Sequence, residues 1–139
     1  MYNAMETTPD SKFFVISTFS REEALVDGTL IDCSRESREA GVALPVAVTA
    51  AVHAACIAWN NATEQEYQDE SGRCWDLVTM LRIACLRASK NDPDTDTVFF
   101  SVQCIPSGGR GQREVKLKAV VGPGDAGEPV LTVLLPDED

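Results

Sequence analysis

The apolar residues of this chain change period once, and that change limits what it can fold into. From Cys74 to Ser89 they recur at helical spacing, with Cys74, Leu77, Val78, Leu81, Ala84, Cys85 and Ala88 on one stripe. From Val98 they alternate instead: Val98, Phe100, Val102 and Cys104, then Val115, Leu117, Ala119 and Val121. A stripe of period 3.6 cannot serve as a strand, nor an alternation as a helix. The spacing therefore predicts a central, largely buried helix over 74–89, followed by strands.

Between those strands, Ser107-Gly108-Gly109-Arg110-Gly111-Gln112 reads as a hairpin loop. Residues Gly122 to Glu128 read as a second Gly/Pro turn, and Val130 to Leu135 as the last strand. The second half is thus expected to be a three-stranded antiparallel meander with one wet face, its lysines Lys116 and Lys118 pointing outward.

The first half carries local punctuation. Ser20 followed by Glu23 is a capping box opening a short helix, Arg21 to Val26, that Gly28 would end. Thr29 to Cys33 reads as extended, and Ser34 to Ala40 as another brief helix ended by Gly41. Alanines and valines from Val46 to Trp59 suggest a further helix after Pro45, with Thr49 or a neighbour as its effective start. The polar residues 1–11 read as a disordered leader and Phe13 to Ser17 as an N-terminal strand that could join the meander. The expectation is one α+β domain over residues 12–139, a helical N-terminal half packed on the meander. At 139 residues such a domain buries about 68% of its unfolded surface, enough for a core without disulfides or metal.

Twenty-two acidic against twelve basic residues give a net charge of −10. That balance disfavours direct nucleic-acid binding and anionic membranes, and favours a protein or protein complex with a basic surface. Five cysteines without a C-x-x-C pair, and no apolar signal core near Met1, suggest a cytoplasmic protein with reduced thiols.

Catalytic patterns are weak. His53 is the sole histidine, and a Cys56–His53 nucleophile competes with the simpler reading of a small-residue helix. Gly122-Pro123-Gly124-Asp125 lacks the Lys-Ser/Thr of a phosphate loop and sits between strands. Asp92, Asp94 and Asp96 lack the glycine and closing glutamate of a calcium loop. No catalytic residue, metal ligand or cofactor is therefore expected. The candidate partner-binding residues are Glu64, Glu66, Tyr67, Asp69, Glu70 and Arg73, ahead of the long helix, and the acidic turn Asp92, Asp94 and Asp96. Arg73 and Asp76 suit a local ion pair, and Trp75 suits an anchor of that loop on the core.

Several strings carry a resemblance: Phe14-Val15-Ile16-Ser17, Ala24 to Asp32, Arg38-Glu39-Ala40-Gly41, Pro45 to Thr49, and Gly72-Arg73-Cys74-Trp75-Asp76. With Gly122-Pro123-Gly124-Asp125, Glu128-Pro129-Val130 and Leu135 to Asp139, these are similar to an uncharacterised family of short bacterial proteins carried on plasmids and other mobile elements. The resemblance implies a mobile-element accessory protein and assigns no residue a role. Together with the charge, it suggests a non-enzymatic inhibitor of a host nucleic-acid-binding defence complex, of the anti-CRISPR or anti-restriction kind. The alternative is a self-associating structural or regulatory module, a homodimer paired through Val130 to Leu135 as an edge strand. A third reading is an enzyme acting through carboxylates alone.

Overall fold

A computed structural model describes residues 20–59, 70–105 and 111–138. The expected leader 1–11 and the strand candidate Phe13–Ser17 lie outside them. The elements are α1 (Arg21–Asp27), β1 (Leu30–Asp32), α2 (Ser34–Glu39), β2 (Val46–Thr49), α3 (Ala50–Val52), α4 (Glu70–Asn91), β3 (Thr97–Cys104), β4 (Arg113–Pro123) and β5 (Pro129–Leu134). A π-helical turn, His53–Ile57, continues α3.

Local chemistry sets the short helices. Ser20 Oγ accepts from the Glu23 N–H at 3.0 Å, and Glu23 Oε1 accepts from the Ser20 N–H at 2.9 Å, so the capping box forms. Gly28, at φ 89°, ends α1 in the left-handed conformation that glycine adopts without strain. Gly41 is left-handed too, at φ 96°, and a Cβ there would lie 3.0 Å from Arg82 Nε.

The Val46–Trp59 helix is corrected. Its first four residues are β2, and helix begins only at Ala50, with Thr49 Oγ1 capping it by accepting from the Val52 N–H at 3.2 Å. Val46, Ala47 and Val48 are all buried, on both faces of the strand. A strand covered on both sides reads as a continuous apolar run, which periodicity cannot separate from a buried helix.

The three-stranded meander is corrected as well. The sheet has five strands in the order β1-β2-β5-β4-β3 and is mixed. β2 pairs with β5 in parallel, Val46 beside Leu131 and Val48 beside Val133. The β1–β2, β4–β5 and β3–β4 pairs are antiparallel. β5 is therefore the middle strand, and Val130–Leu135 is not an edge. Its physical reason is burial: Val130, Leu131, Val133 and Leu134 are all shielded, which a strand with one wet face and one open side cannot achieve.

The core lies on one face of this sheet. Leu77, Val78 and Leu81 of α4 meet Val46, Val48, Leu117, Ala119, Leu131 and Val133. Leu77, Leu81 and Leu117 are 2% exposed or less, each worth about 2 kcal/mol of burial. On the opposite face, Arg21 of α1 donates from Nη1 to Thr132 Oγ1 (2.8 Å) and from Nη2 to the Leu131 carbonyl (3.0 Å).

Candidate functional site

Among the described residues the order of strands leaves two edges, and they differ. β1 is three residues long, whereas β3 runs for eight, Thr97–Cys104, with no charge and no proline in it. Natural edges are usually blunted by charge, proline, bulges or shortness, because bare N–H and C=O groups pair readily with another strand. β3 uses none of these devices.

Its hydrogen-bonding direction follows from one contact. The Asp96 carbonyl accepts from the Val121 N–H at 2.8 Å, in the register that pairs Thr97 with Val120. Along an antiparallel strand the bonding direction alternates, so Val98, Phe100 and Val102 turn their backbone toward β4 and Thr97, Phe99, Ser101 and Gln103 turn theirs away. Thr95 satisfies the first of these: its hydroxyl donates to the Thr97 carbonyl (2.9 Å) and accepts from the Thr97 N–H (3.3 Å). Among the described residues the outward groups of Phe99, Ser101 and Gln103 have no strand partner.

Beside that edge runs a groove of about 450 Å³ between α4 and β3, lined by Met80, Ile83, Ala84 and Arg87 on the helix and by Val98 and Phe100 on the strand. Asp92 stands at one end of it. Toward the start of α4 lies a separate small hollow of about 20 Å³, with Asp76, Gln103 and Cys104 among its lining residues. Phe99, on the opposite side of the strand, is 68% exposed. A groove lined by both apolar and polar side chains beside an open strand edge is the geometry in which proteins bind extended segments, main-chain bonds giving affinity and alternate side chains giving selectivity.

A second hollow, of about 220 Å³, contains Asp32, Cys33, Glu36, His53, Ser71 and Cys74 among its lining residues. Its cysteines and Glu36 have partners. A hydrogen bond with Cys33, then burial, raises the Cys74 pKa well above the ordinary thiol value. Glu36 Oε2 accepts from Ser71 Oγ at 3.2 Å and from Arg35 Nη2 at 3.1 Å. Cys56, paired by sequence with His53, is pushed up to about 12 by burial and by Cys104. A thiol so raised stays protonated near neutral pH and is a poor nucleophile. Among the described residues no group of three His, Cys, Asp or Glu side chains could hold a metal ion.

The sequence-derived candidates scatter. Glu64, Glu66, Tyr67 and Asp69 lie outside the described residues. Glu70 opens α4 and accepts from the Trp59 N–H at 2.9 Å. Arg73 is 6% exposed, donating from Nε to the Ile57 carbonyl (2.9 Å), with its guanidinium 5.1 Å from the Trp59 ring centroid. It is an interior packing group. Trp75, expected to anchor that loop, is 40% exposed and donates to Glu39 Oε1 at 3.3 Å. The exposed Asp92, Asp94 and Asp96 form the turn into β3. Sequence reasoning missed Phe99, Ser101 and Gln103 as edge residues. The signal available was the absence of charge and proline across eight strand positions.

No curated protein and no solved structure matches the chain. A family model does, over residues 5–139.

Proposed function

The chain belongs to the family of unknown function DUF6573, which lends it no activity, and we propose from its geometry that it is a non-enzymatic binding module that takes up an extended strand along the free edge of β3. The observation that carries this reading is the outward-facing backbone of Phe99, Ser101 and Gln103 beside the α4 groove. The protonated Cys56 thiol and the engaged Glu36 carboxylate support binding over chemistry. Peptides selected from a random display library test it. The expected winners adopt extended structure, slow hydrogen exchange at the Phe99, Ser101 and Gln103 amides, and fail to bind Ser101→Pro. Convergence on peptides that leave those amides unprotected sinks the reading.

A narrower reading makes the protein a cytoplasmic, mobile-element inhibitor of a host nucleic-acid-binding defence complex, presenting carboxylates to a basic groove. Its support is the net charge of −10 and the exposure of Asp92, Asp94 and Asp96 in the turn before β3, of which Asp92 lines the groove. Reversal of those three to lysine is expected to abolish inhibition of such a complex in a cleavage assay. Undiminished inhibition by the reversed protein removes this version.

A further inference from the structure

We infer that the strand taken up by β3 is the β3 of a second copy, related by a two-fold axis, so that two five-stranded sheets join into one of ten. This rests on the strand-addition reading above and goes beyond it by committing to the occupant.

Three features argue for self-pairing. The first is parity. Outward backbone belongs to Thr97, Phe99, Ser101 and Gln103, so a symmetric antiparallel register must match odd positions with odd ones. Placing the axis at Phe100 does so: Phe99 exchanges both backbone bonds with Ser101 of the second copy, and Ser101 with its Phe99. The same register sets Val98 across from Val102 and Phe100 across from itself. These residues face the core side, with Val102 buried and Val98 and Phe100 half-buried, so the apolar row continues without interruption. A slip by one residue would set core-side residues against outward ones, which a half-buried sheet resists.

The second feature is charge. β3 is entered through Asp92, Asp94 and Asp96, which Arg87 and Lys90 of α4 offset only in part, and at its other end Cys104 is paired with the basic Arg113 of β4. Antiparallel self-pairing brings the acidic start of one β3 beside the basic end of the other, twice. In the register above, Asp96 lies next to Cys104 of the second copy, whose other neighbour is Arg113 on β4. Two strand spacings, about 10 Å, separate those backbones, within reach of the arginine side chain. Glu114 turns to the opposite face of β4 from Arg113, the face that Lys116 shares, and Asp76 near Cys104 reduces this attraction.

The third feature is the apolar surface beside the edge. Met80 is 41% exposed and Phe99 68% exposed, on opposite faces of the same seam. A second copy shields both faces at once.

The test is the mass of the full chain by light scattering across a dilution series, with hydrogen exchange at β3. A concentration-dependent dimer with protected Phe99 and Ser101 amides is expected. Proline is tolerated on an edge strand where its missing N–H faces outward. Ser101→Pro should therefore keep its circular dichroism and weaken the dimer by about tenfold or more through two lost backbone bonds. Asp96→Arg and Arg113→Asp are each expected to weaken it, and the double variant to restore it. Should Ser101→Pro fail to fold, the exchange pair decides alone. A strict monomer, or a dimer indifferent to both sets of variants, overturns the inference. If the chain stays monomeric while a foreign peptide protects the β3 amides, self-pairing falls and strand addition stands. If the β3 amides are unprotected in every condition, both fall.

Discussion

Burial beside Cys104 moves the Cys56 thiol from 9.0 to about 12, and the shift ties stability to pH. In the unfolded chain the thiol ionises near its ordinary value, while in the fold it holds its proton. The stabilisation is complete below pH 9 and is lost as pH climbs toward 12. Urea denaturation at successive alkaline pH values is expected to show falling stability, with a shallower fall in Cys56→Ala. An equal slope in that variant would mean the thiol is not the titrating group. The sequence did announce Cys56 and Cys74 as small core hydrophobes, since each falls in an apolar stretch, and both are buried, as is Cys33 after the polar Asp32. It did not disclose that Cys33 meets Cys74 or that Cys56 meets Cys104, because those contacts join residues dozens of positions apart. Arg73 was hidden for the same reason: only the tertiary fold brings the Trp59 ring and the Ile57 carbonyl around it. Arg73→Ala should cost about 2–4 kcal/mol through a lost bond to a buried carbonyl and lost stacking. Trp75→Ala, on the exposed side of the same helical turn, should cost about 1 kcal/mol or less. Similar losses from both would contradict this division of roles.

Elements that could be found from sequence are those whose boundaries are chemically local. α1 is fixed by Ser20, Glu23 and Gly28, all within nine positions, and the long helix by its own stripe. β2 was misassigned because its identity comes from β5, more than eighty residues away, through the pairing of Val48 with Val133. α1 has a second, long-range cap as well. Asp125 in the β4–β5 turn accepts from the Arg21 N–H (2.9 Å) through one carboxylate oxygen and from the Glu22 N–H (3.0 Å) through the other. That carboxylate thus fastens the helix to the sheet, where the sequence suggested only a turn residue. Asp125→Ala is expected to lower stability by about 1 kcal/mol, the usual scale of a lost N-cap. Exchange at the Arg21 and Glu22 amides should rise with it. Thr49→Ala should cost at least as much, because Thr49 Oγ1 also donates to Glu138 Oε1 at 2.7 Å, tying the β2–α3 junction to the stretch after β5. An unaltered melting midpoint in either variant would show that the cap is redundant.

At the scale of the molecule, the placement of β5 decides how the chain unfolds. A helical half resting on a self-contained meander could lose one part and keep the other. Here the last strand is inserted between β2 from the first half and β4 from the second, so neither half has a complete sheet alone. The α+β class was legible, because periodicity reports each segment's own environment. The joining of halves was not, since pairing partners leave no trace in periodicity. Val133 sits at the join, fully buried, with Val48 on one side and Ala119 on the other. Val133→Ala is expected to remove about 2–3 kcal/mol by transfer and cavity terms together. The decisive readout is the shape of the transition. Trp59, buried against Arg73 ahead of the sheet's second half, gives a fluorescence signal local to that packing, while far-UV circular dichroism follows the whole chain. In wild type and variant alike the two signals should fall together in urea, as one cooperative unit requires. Separate midpoints, with fluorescence persisting after the strands have melted, would mean that the β2–β5 pairing is too weak to couple the halves.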